Sequence, residues 1–291
     1  MKQLKQITVI GLGLLGGSII RSVSQIMPSV KTIGYSHRSS TRRKARDLAI
    51  ANKVVESLEE SVVGSDIVIL ATPIYTFEEI FRKIADRLPA GCIVTDVGST
   101  KGLPHRWAKK TFSDNVYYVG SHPIAGSEQR GVEFARDDLF QGSFCILTKT
   151  NDTNRQALEV LKQFWSRLGC IVKIMSPVNH DKILSHISHL PHITAAALVN
   201  IQNINELKLA GKGFADTSRV ASGPANIWTD IILANRENVV AGIDRIIDEL
   251  KLLQKTIKKS DKVSLEKLLE QARAKRDAMI NYKMKKRELI Q

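Results

Sequence analysis

A chain of 291 residues, 43% hydrophobic and 25% charged, is long enough to bury a sizeable core and too apolar to remain disordered. Its 43 Lys plus Arg against 29 Asp plus Glu give a formal net charge of +14, which suits an anionic partner: nucleic acid, a membrane surface or small anionic ligands. No run reaches the ~18 apolar residues of a membrane helix, and the apolar run 7–20 behind Lys2 and Lys5 contains Gly11, Gly13, Gly16 and Gly17 with no cleavage site after it, which argues against a secretory signal.

Up to residue 176, short apolar runs alternate with amphipathic segments. Strands are expected at 7–10, 32–35, 67–71, 93–97, 117–119, 144–148 and 171–174, and helices at 13–25, 42–52, 76–88 and 154–168. Strands spaced by helices of this length predict βαβ units, and the right-handed crossover rule then predicts an α/β, doubly wound parallel sheet. Cys92, Cys145 and Cys170 stand beside β-branched or aliphatic residues without zinc spacing and read as small buried strand residues of a cytoplasmic protein. Strand patterns stop after Ser176-Pro177. Residues 179–203 read as a long helix interrupted at Pro191, 237–257 as a helix with the stripe Val240, Ile243, Ile247, Leu250, Leu253 and Ile257, and a last helix begins near Ser264. Two domains are expected, 1–176 and an all-helical 177–291. The charge excess is uneven: residues 251–291 carry 13 basic and 5 acidic side chains, but Tyr282 is their one aromatic, so a nucleic-acid reading is poor and solvated helix faces are the default.

The first strand runs into Gly11-Leu12-Gly13-Leu14-Leu15-Gly16. This is G-x-G-x-x-G between a strand and a helix, the fingerprint of a Rossmann-type dinucleotide site. Gly11 permits the tight turn, Gly13 lets backbone approach a pyrophosphate, Gly16 allows helix to pack on strand, and free amides at Leu14 and Leu15 face the phosphates. An NAD site would place an acid at the end of the second strand. Here that strand ends Ser36-His37-Arg38, with no acid until Asp47. Ser36, His37 and above all Arg38 suit a 2′-phosphate, so NADP is favoured over NAD. Thr72 and Pro73, after the strand 67–71, form a wall beside the cofactor.

Ligands of open α/β sheets bind at the carboxyl ends of strands. Ser99 follows one such end, and His122 another, on a loop bounded by Gly120 and Pro123. There a histidine can take a hydroxyl proton as hydride leaves the same carbon, with Ser99 orienting it. Ser127 lies further along the same loop. His186, His189 and His192 recur every third residue, but Pro191 breaks their regularity and no carboxylate pair accompanies them, so no metal is expected. Arg219, beyond the Gly-rich stretch 211–214, suits clamping a carboxylate.

Taken in order, Gly11–Gly17, Ala71-Thr72-Pro73, the stretch from Thr95 to Lys101, the stretch 120–128, Ser188-His189-Leu190-Pro191-His192 and the stretch 213–219 resemble the prephenate/arogenate dehydrogenase family of tyrosine biosynthesis over essentially the whole chain. The resemblance implies a Rossmann domain followed by a helical dimerisation domain, hence a homodimer with no nucleic-acid or membrane partner. It implies oxidative decarboxylation of a cyclohexadienol, with hydride leaving C4 and carbon dioxide leaving C1. His122 would bond the C4 hydroxyl with Ser99 assisting, Arg219 would bind a carboxylate, and His192 would line the same pocket. The missing acid after the second strand departs from NAD-preferring members. Prephenate is the favoured substrate, with NADP-linked arogenate dehydrogenation the alternative. A β-hydroxyacid dehydrogenase would want a lysine such as Lys182 on the first helix of the second domain, but the His122 loop does not fit it. A non-catalytic NADP-binding redox sensor would not need Ser99, His122 and Arg219 together.

Overall fold

The computed structural model describes residues 4–125 and 129–285. Strands β1 (Gln6–Ile10), β2 (Lys31–Tyr35), β3 (Lys53–Val54), β4 (Ile67–Leu70), β5 (Ile93–Asp96) and β6 (Tyr117–Tyr118) form a parallel sheet in the order β3-β2-β1-β4-β5-β6. Helices α1 (Leu14–Ile26), α2 (Ser39–Asp47), α3 (Leu58–Ser61), α4 (Phe77–Ile84) and α5 (Gly102–Thr111) connect them. The period-2 alternation of the strands sends Ile7, Val9, Ile67 and Ile69 into one core with Ile19 and Val23. It sends Ile10, Val68, Leu70 and Val94 into another with Phe77, Phe81 and Ile84. Both faces are covered, which is the doubly wound Rossmann architecture.

The sheet differs from expectation in two respects. β3 is only two residues long, too short for any periodicity to reveal. The expected strand at 117–119 ends at Tyr118, and after Val119 the chain starts a second sheet. β7 (Gly120–Pro123) pairs antiparallel with β8 (Phe144–Thr148), which pairs parallel with β9 (Ile171–Met175) across helix α6 (Arg155–Arg167). His122 therefore lies on a strand and not on a loop. The sequence Gly-Ser-His-Pro has poor strand propensity; the ladder to β8, with Gly120 opposite Thr148 and Pro123 opposite Cys145, imposes the conformation.

Ser176 caps α7 (Pro177–Leu184) by accepting a hydrogen bond from Asn179 N, with Pro177 in the first turn. A π-helical turn, Ser185–His189, then leads directly into α8 (Leu190–Asn200). Pro191 does not interrupt the helix as expected, because it falls in the first turn of α8 and the wider turn before it absorbs the amide that proline lacks. The chain continues through α9 (Ile204–Leu207), α10 (Lys212–Ser218), a 3-10 turn Arg219–Ser222, α11 (Ala225–Ala234), α12 (Arg236–Lys258) and α13 (Lys262–Lys285). Four members of the α12 stripe, Val240, Ile247, Leu250 and Ile257, are exposed. Among the described residues no helix is long and apolar enough to cross a membrane.

Candidate active site

The ends of β1, β2 and β4 build a nucleotide cradle. Gly11 has φ +105, and a Cβ there would lie 2.5 Å from the Ala71 carbonyl oxygen. A Cβ on Gly16 would lie 1.9 Å from Gly11 O, so both glycines are required by packing. Gly13 is different: a Cβ would meet nothing within 4 Å. It precedes Leu14 and Leu15 at the start of α1, where no side chain caps the free amides. An open approach to uncapped amides fits a pyrophosphate. Thr72 packs against Gly11 and bonds Thr76 at 2.7 Å, while Pro73 beside it is exposed. Ser36 is buried and its carbonyl accepts from Arg42 at 2.6 Å; Arg42 also holds Glu56. Arg42 is thus a brace for the turn, whereas His37 and Arg38 are exposed at its tip.

Next to this cradle, β5 ends beside β4, with Asp96 opposite Leu70. Ser99 follows that end and shares a cavity of about 530 Å³ with His122, Phe144, His189 and Trp228. His122 is buried, and its Nδ1 lies 2.9 Å from His180 Nε2. His180 Nδ1 lies 2.8 Å from Asp181 Oδ1. The Asp181 carboxylate also accepts from the backbone amides of Lys101 at 2.7 Å and Gly102 at 2.8 Å. These contacts determine the tautomers. Asp181 is an acceptor, so His180 carries its proton on Nδ1. His180 Nε2 then accepts from His122 Nδ1–H, leaving the Nε2 lone pair of His122 for the cavity.

The electrostatics agree. Burial, then the neighbouring His180 and Lys101, hold His122 well below the ordinary 6.5. Burial likewise lowers His180 against the opposing pull of Asp181. Burial alone would raise Asp181, but the bonds from His180 and the two amides keep its carboxyl below the usual range. Both imidazoles are therefore neutral at pH 7.

Two further groups support this row. The fully buried Lys101 pairs with the fully buried Asp96 and donates to Gly98 O at 2.8 Å and Thr100 O at 3.1 Å, fixing the turn that presents Ser99. Tyr118 Oη donates to the other Asp96 oxygen at 2.6 Å. On the helical side, Asn235 donates to Asp181 O at 2.7 Å and lies 3.2 Å from His189 Nδ1. That leaves His189 Nε2 as an N–H donor, buried at the cavity wall with no partner among the described residues. Burial pushes His189 down to about 4.

Of the residues expected from the sequence, Ser99 and His122 meet in the cavity and the glycines and Thr72 meet in the cradle. His192 is buried and stacks on Trp228 at 3.7 Å, behind the wall rather than on it. Arg219 is exposed on its 3-10 turn and does not line this cavity. Ser127 lies outside the described residues. The three spaced histidines face different partners: His186 lies 3.3 Å from Arg245, His189 meets Asn235 and His192 meets Trp228. Among the described residues no group of three or more His, Cys, Asp or Glu side chains is placed to hold a metal. Sequence reasoning missed His180, Asp181, Lys101, Asp96, Tyr118 and Asn235. The visible signals were the adjacent pair His180-Asp181 within α7 and the stretch from Thr95 to Lys101, which holds Asp96 and Lys101.

The comparisons with known proteins point to one family. Residues 19–174 match the family model for the prephenate dehydrogenase nucleotide-binding domain, and residues 176–271 that for the prephenate dehydrogenase dimerization domain. The prephenate dehydrogenase of Bacillus subtilis is 32% identical over 287 residues, 96% of this chain and 77% of that one. The cyclohexadienyl dehydrogenase of Zymomonas mobilis is 31% identical, over 90% of this chain and 91% of its own. The crystal structure of Aquifex aeolicus prephenate dehydrogenase with hydroxyphenyl propionate and NAD+ superposes with a TM-score of 0.89 at 33% identity, covering 95% and 99% of the two chains. That of Synechocystis arogenate dehydrogenase gives 0.82 at 29% identity, covering 94% and 99%. With both of its halves matched and its fold shared, the chain belongs to the prephenate dehydrogenase family of NAD(P)-dependent oxidoreductases.

Proposed function

We propose that the protein converts prephenate to 4-hydroxyphenylpyruvate and carbon dioxide, with NADP as the preferred acceptor, in the biosynthesis of tyrosine. The observation that carries this reading is the row Asp181–His180–His122, whose end is a neutral Nε2 beside Ser99 at the carboxyl ends of the parallel strands. His122 Nε2 accepts the proton of the C4 hydroxyl. Ser99 orients that hydroxyl, and His189 Nε2–H donates to a substrate oxygen. Loss of the proton, departure of hydride from C4 and breakage of the C1–carboxylate bond leave an aromatic phenolate, which drives the step, and the proton held by His122 returns to its oxygen. A bound nicotinamide supplies the hydride acceptor. Gly13 and the amides of Leu14 and Leu15 would hold its pyrophosphate, with Gly11 and Gly16 shaping the turn. Arg38, with Ser36 and His37, would meet a 2′-phosphate, and Thr72 and Pro73 would line the cofactor site. Arg219, His192 and Ser127 remain the candidate substrate contacts from the helical side and the loop after β7.

A second reading, arogenate as substrate, is supported by the likeness to the Synechocystis arogenate dehydrogenase. Rates of reduced-cofactor formation with prephenate and with arogenate, each with NADP and NAD, separate the two. Turnover in none of the four combinations overturns the enzyme reading. In the Arg38→Ala variant, the KM for NADP rises roughly tenfold while that for NAD changes little. A wild type that uses NAD better than NADP overturns the cofactor assignment.

Residues 1–176 are assigned to cofactor binding and 177–291 to substrate binding and dimerisation, consistent with the spans of the two family models. A cytoplasmic homodimer is proposed: all three cysteines are free and buried, as in a reducing compartment, and the α12 stripe is exposed.

A further inference from the structure

The basic terminal helix has no motif attached to it, yet one of its residues returns to the active site. Lys283, near the end of α13, lines the same cavity as Ser99 and His122, and so does Lys173 of β9. Lys283 Nζ stands 4.7 Å and Lys173 Nζ 5.6 Å from the centroid of the Phe144 ring, itself on the cavity wall. Cation–π contact at this range holds both ammonium groups at the Phe144 ring. The strand register places these cations relative to the chemistry. His122 is opposite Ile146 on β8, and Ile146 is opposite Lys173 on β9, so the three lie in one row across the sheet. Residues in such a row share a face. Two strand spacings separate His122 from Lys173, about 10 Å. That is the scale of a six-membered ring carrying a three-carbon acid opposite its hydroxyl. Ile124, Ile146 and Met175 add apolar surface to the same cavity.

We propose that Lys173 and Lys283 form the cationic end of the substrate site, binding the side-chain carboxylate while His122 holds the hydroxyl, and that they favour a keto-acid side chain over its amino-acid counterpart. This rests on the cavity being the substrate site. An α-keto acid brings only negative charge to the pair, whereas an α-amino acid also brings an ammonium that two lysines repel.

The test compares Lys173→Met and Lys283→Met with Lys267→Met, a control on α13 that is exposed and outside the cavity. Each cavity variant raises the KM for prephenate roughly five- to tenfold with a much smaller change in kcat. Each also lowers the preference for prephenate over arogenate and leaves the KM for the cofactor at the wild-type value. Binding of hydroxyphenylpropionate, measured by calorimetry in the presence of oxidised cofactor, weakens by the same factor, while binding of ethylphenol, which lacks the carboxylate, is unchanged. Wild-type values for prephenate and hydroxyphenylpropionate in both cavity variants overturn the proposal, as does an equal effect of Lys267→Met. A wild type that turns over neither substrate refutes the assigned reaction, and the carboxylate-binding arm still decides the role of the lysines.

Discussion

A histidine can act as a base at pH 7 only if its surroundings keep it neutral and leave a lone pair open, and His122 receives both services from residues far away in sequence. Ser99 and His122 were legible because each follows a strand of the Rossmann pattern, at the edge where such folds bind ligands. His180 and Asp181 were not, since their contact with His122 is purely tertiary and periodicity says nothing about which helix lies over which strand end. Their part is open to a direct test. Asp181→Asn removes the acceptor that fixes the His180 tautomer, and kcat falls by roughly 10² or more while the KM for the cofactor is unchanged. His122→Asn loses 10²–10⁴, and full activity in that variant would refute the assignment. The pH dependence follows from the signs. The folded pKa of His122 lies below 6.5, so the acid limb of kcat/KM has its midpoint below 6.5, and a limb above it contradicts the buried neutral base. The same burial costs stability in acid. Unfolded histidines take up protons below about 6.5, whereas His189, and His105 of α5 with its Nε2 2.8 Å from Thr148 Oγ1, resist until about 4 in the fold. Stability therefore declines as pH falls through that window, which melting temperatures across it measure.

At the scale of elements, most of the α/β half could be read from alternating apolar runs, because buried parallel strands are short and continuous in hydrophobicity. What escaped had local signals that tertiary structure overrode. β7 is a strand because β8 offers it a ladder, and α7 runs into α8 through a π-helical turn that lets Pro191 stay in a helix. The glycine turn shows how far element-level reading can be sharpened by space. The three glycines of G-x-G-x-x-G look alike in sequence, but Gly11 and Gly16 abut backbone while Gly13 is open. Substitutions should therefore divide. Gly16→Ala drives a Cβ into the Gly11 carbonyl and destabilises the fold, lowering the melting temperature by several degrees or more. Gly13→Val leaves the melting temperature of the cofactor-free protein near wild type but raises the KM for NADP more than tenfold, since the side chain fills the pyrophosphate approach. Equal destabilisation by both would mean that Gly13 serves the fold rather than the ligand.

For the whole molecule, the sequence showed a net charge of +14 and an apolar stripe on α12 but not how either is used, because a stripe predicts burial without naming what covers it. Within one chain the stripe stays uncovered: Val240 is 56%, Leu250 58% and Ile257 59% exposed, and Val263 at the start of α13 is 78% exposed. Monomeric proteins rarely leave so extended an apolar face in water, and the family model over this half of the chain is that of a dimerization domain. A second copy brought against this face also brings the basic α13 that follows its own stripe, so like charges approach as apolar surface is buried. Two consequences follow. Charge placed in the stripe, as in Ile247→Glu with Leu250→Glu, converts a dimer into monomer in sedimentation or light scattering, with lowered thermal stability since each subunit then leaves its apolar face in water. Added salt should tighten the proposed dimer by screening the repulsion between terminal helices, the reverse of an association held by opposite charges. A double variant with wild-type mass would show that the contact lies on another face, and a dimer that loosens with salt would show that ion pairs rather than the apolar stripe hold the copies together.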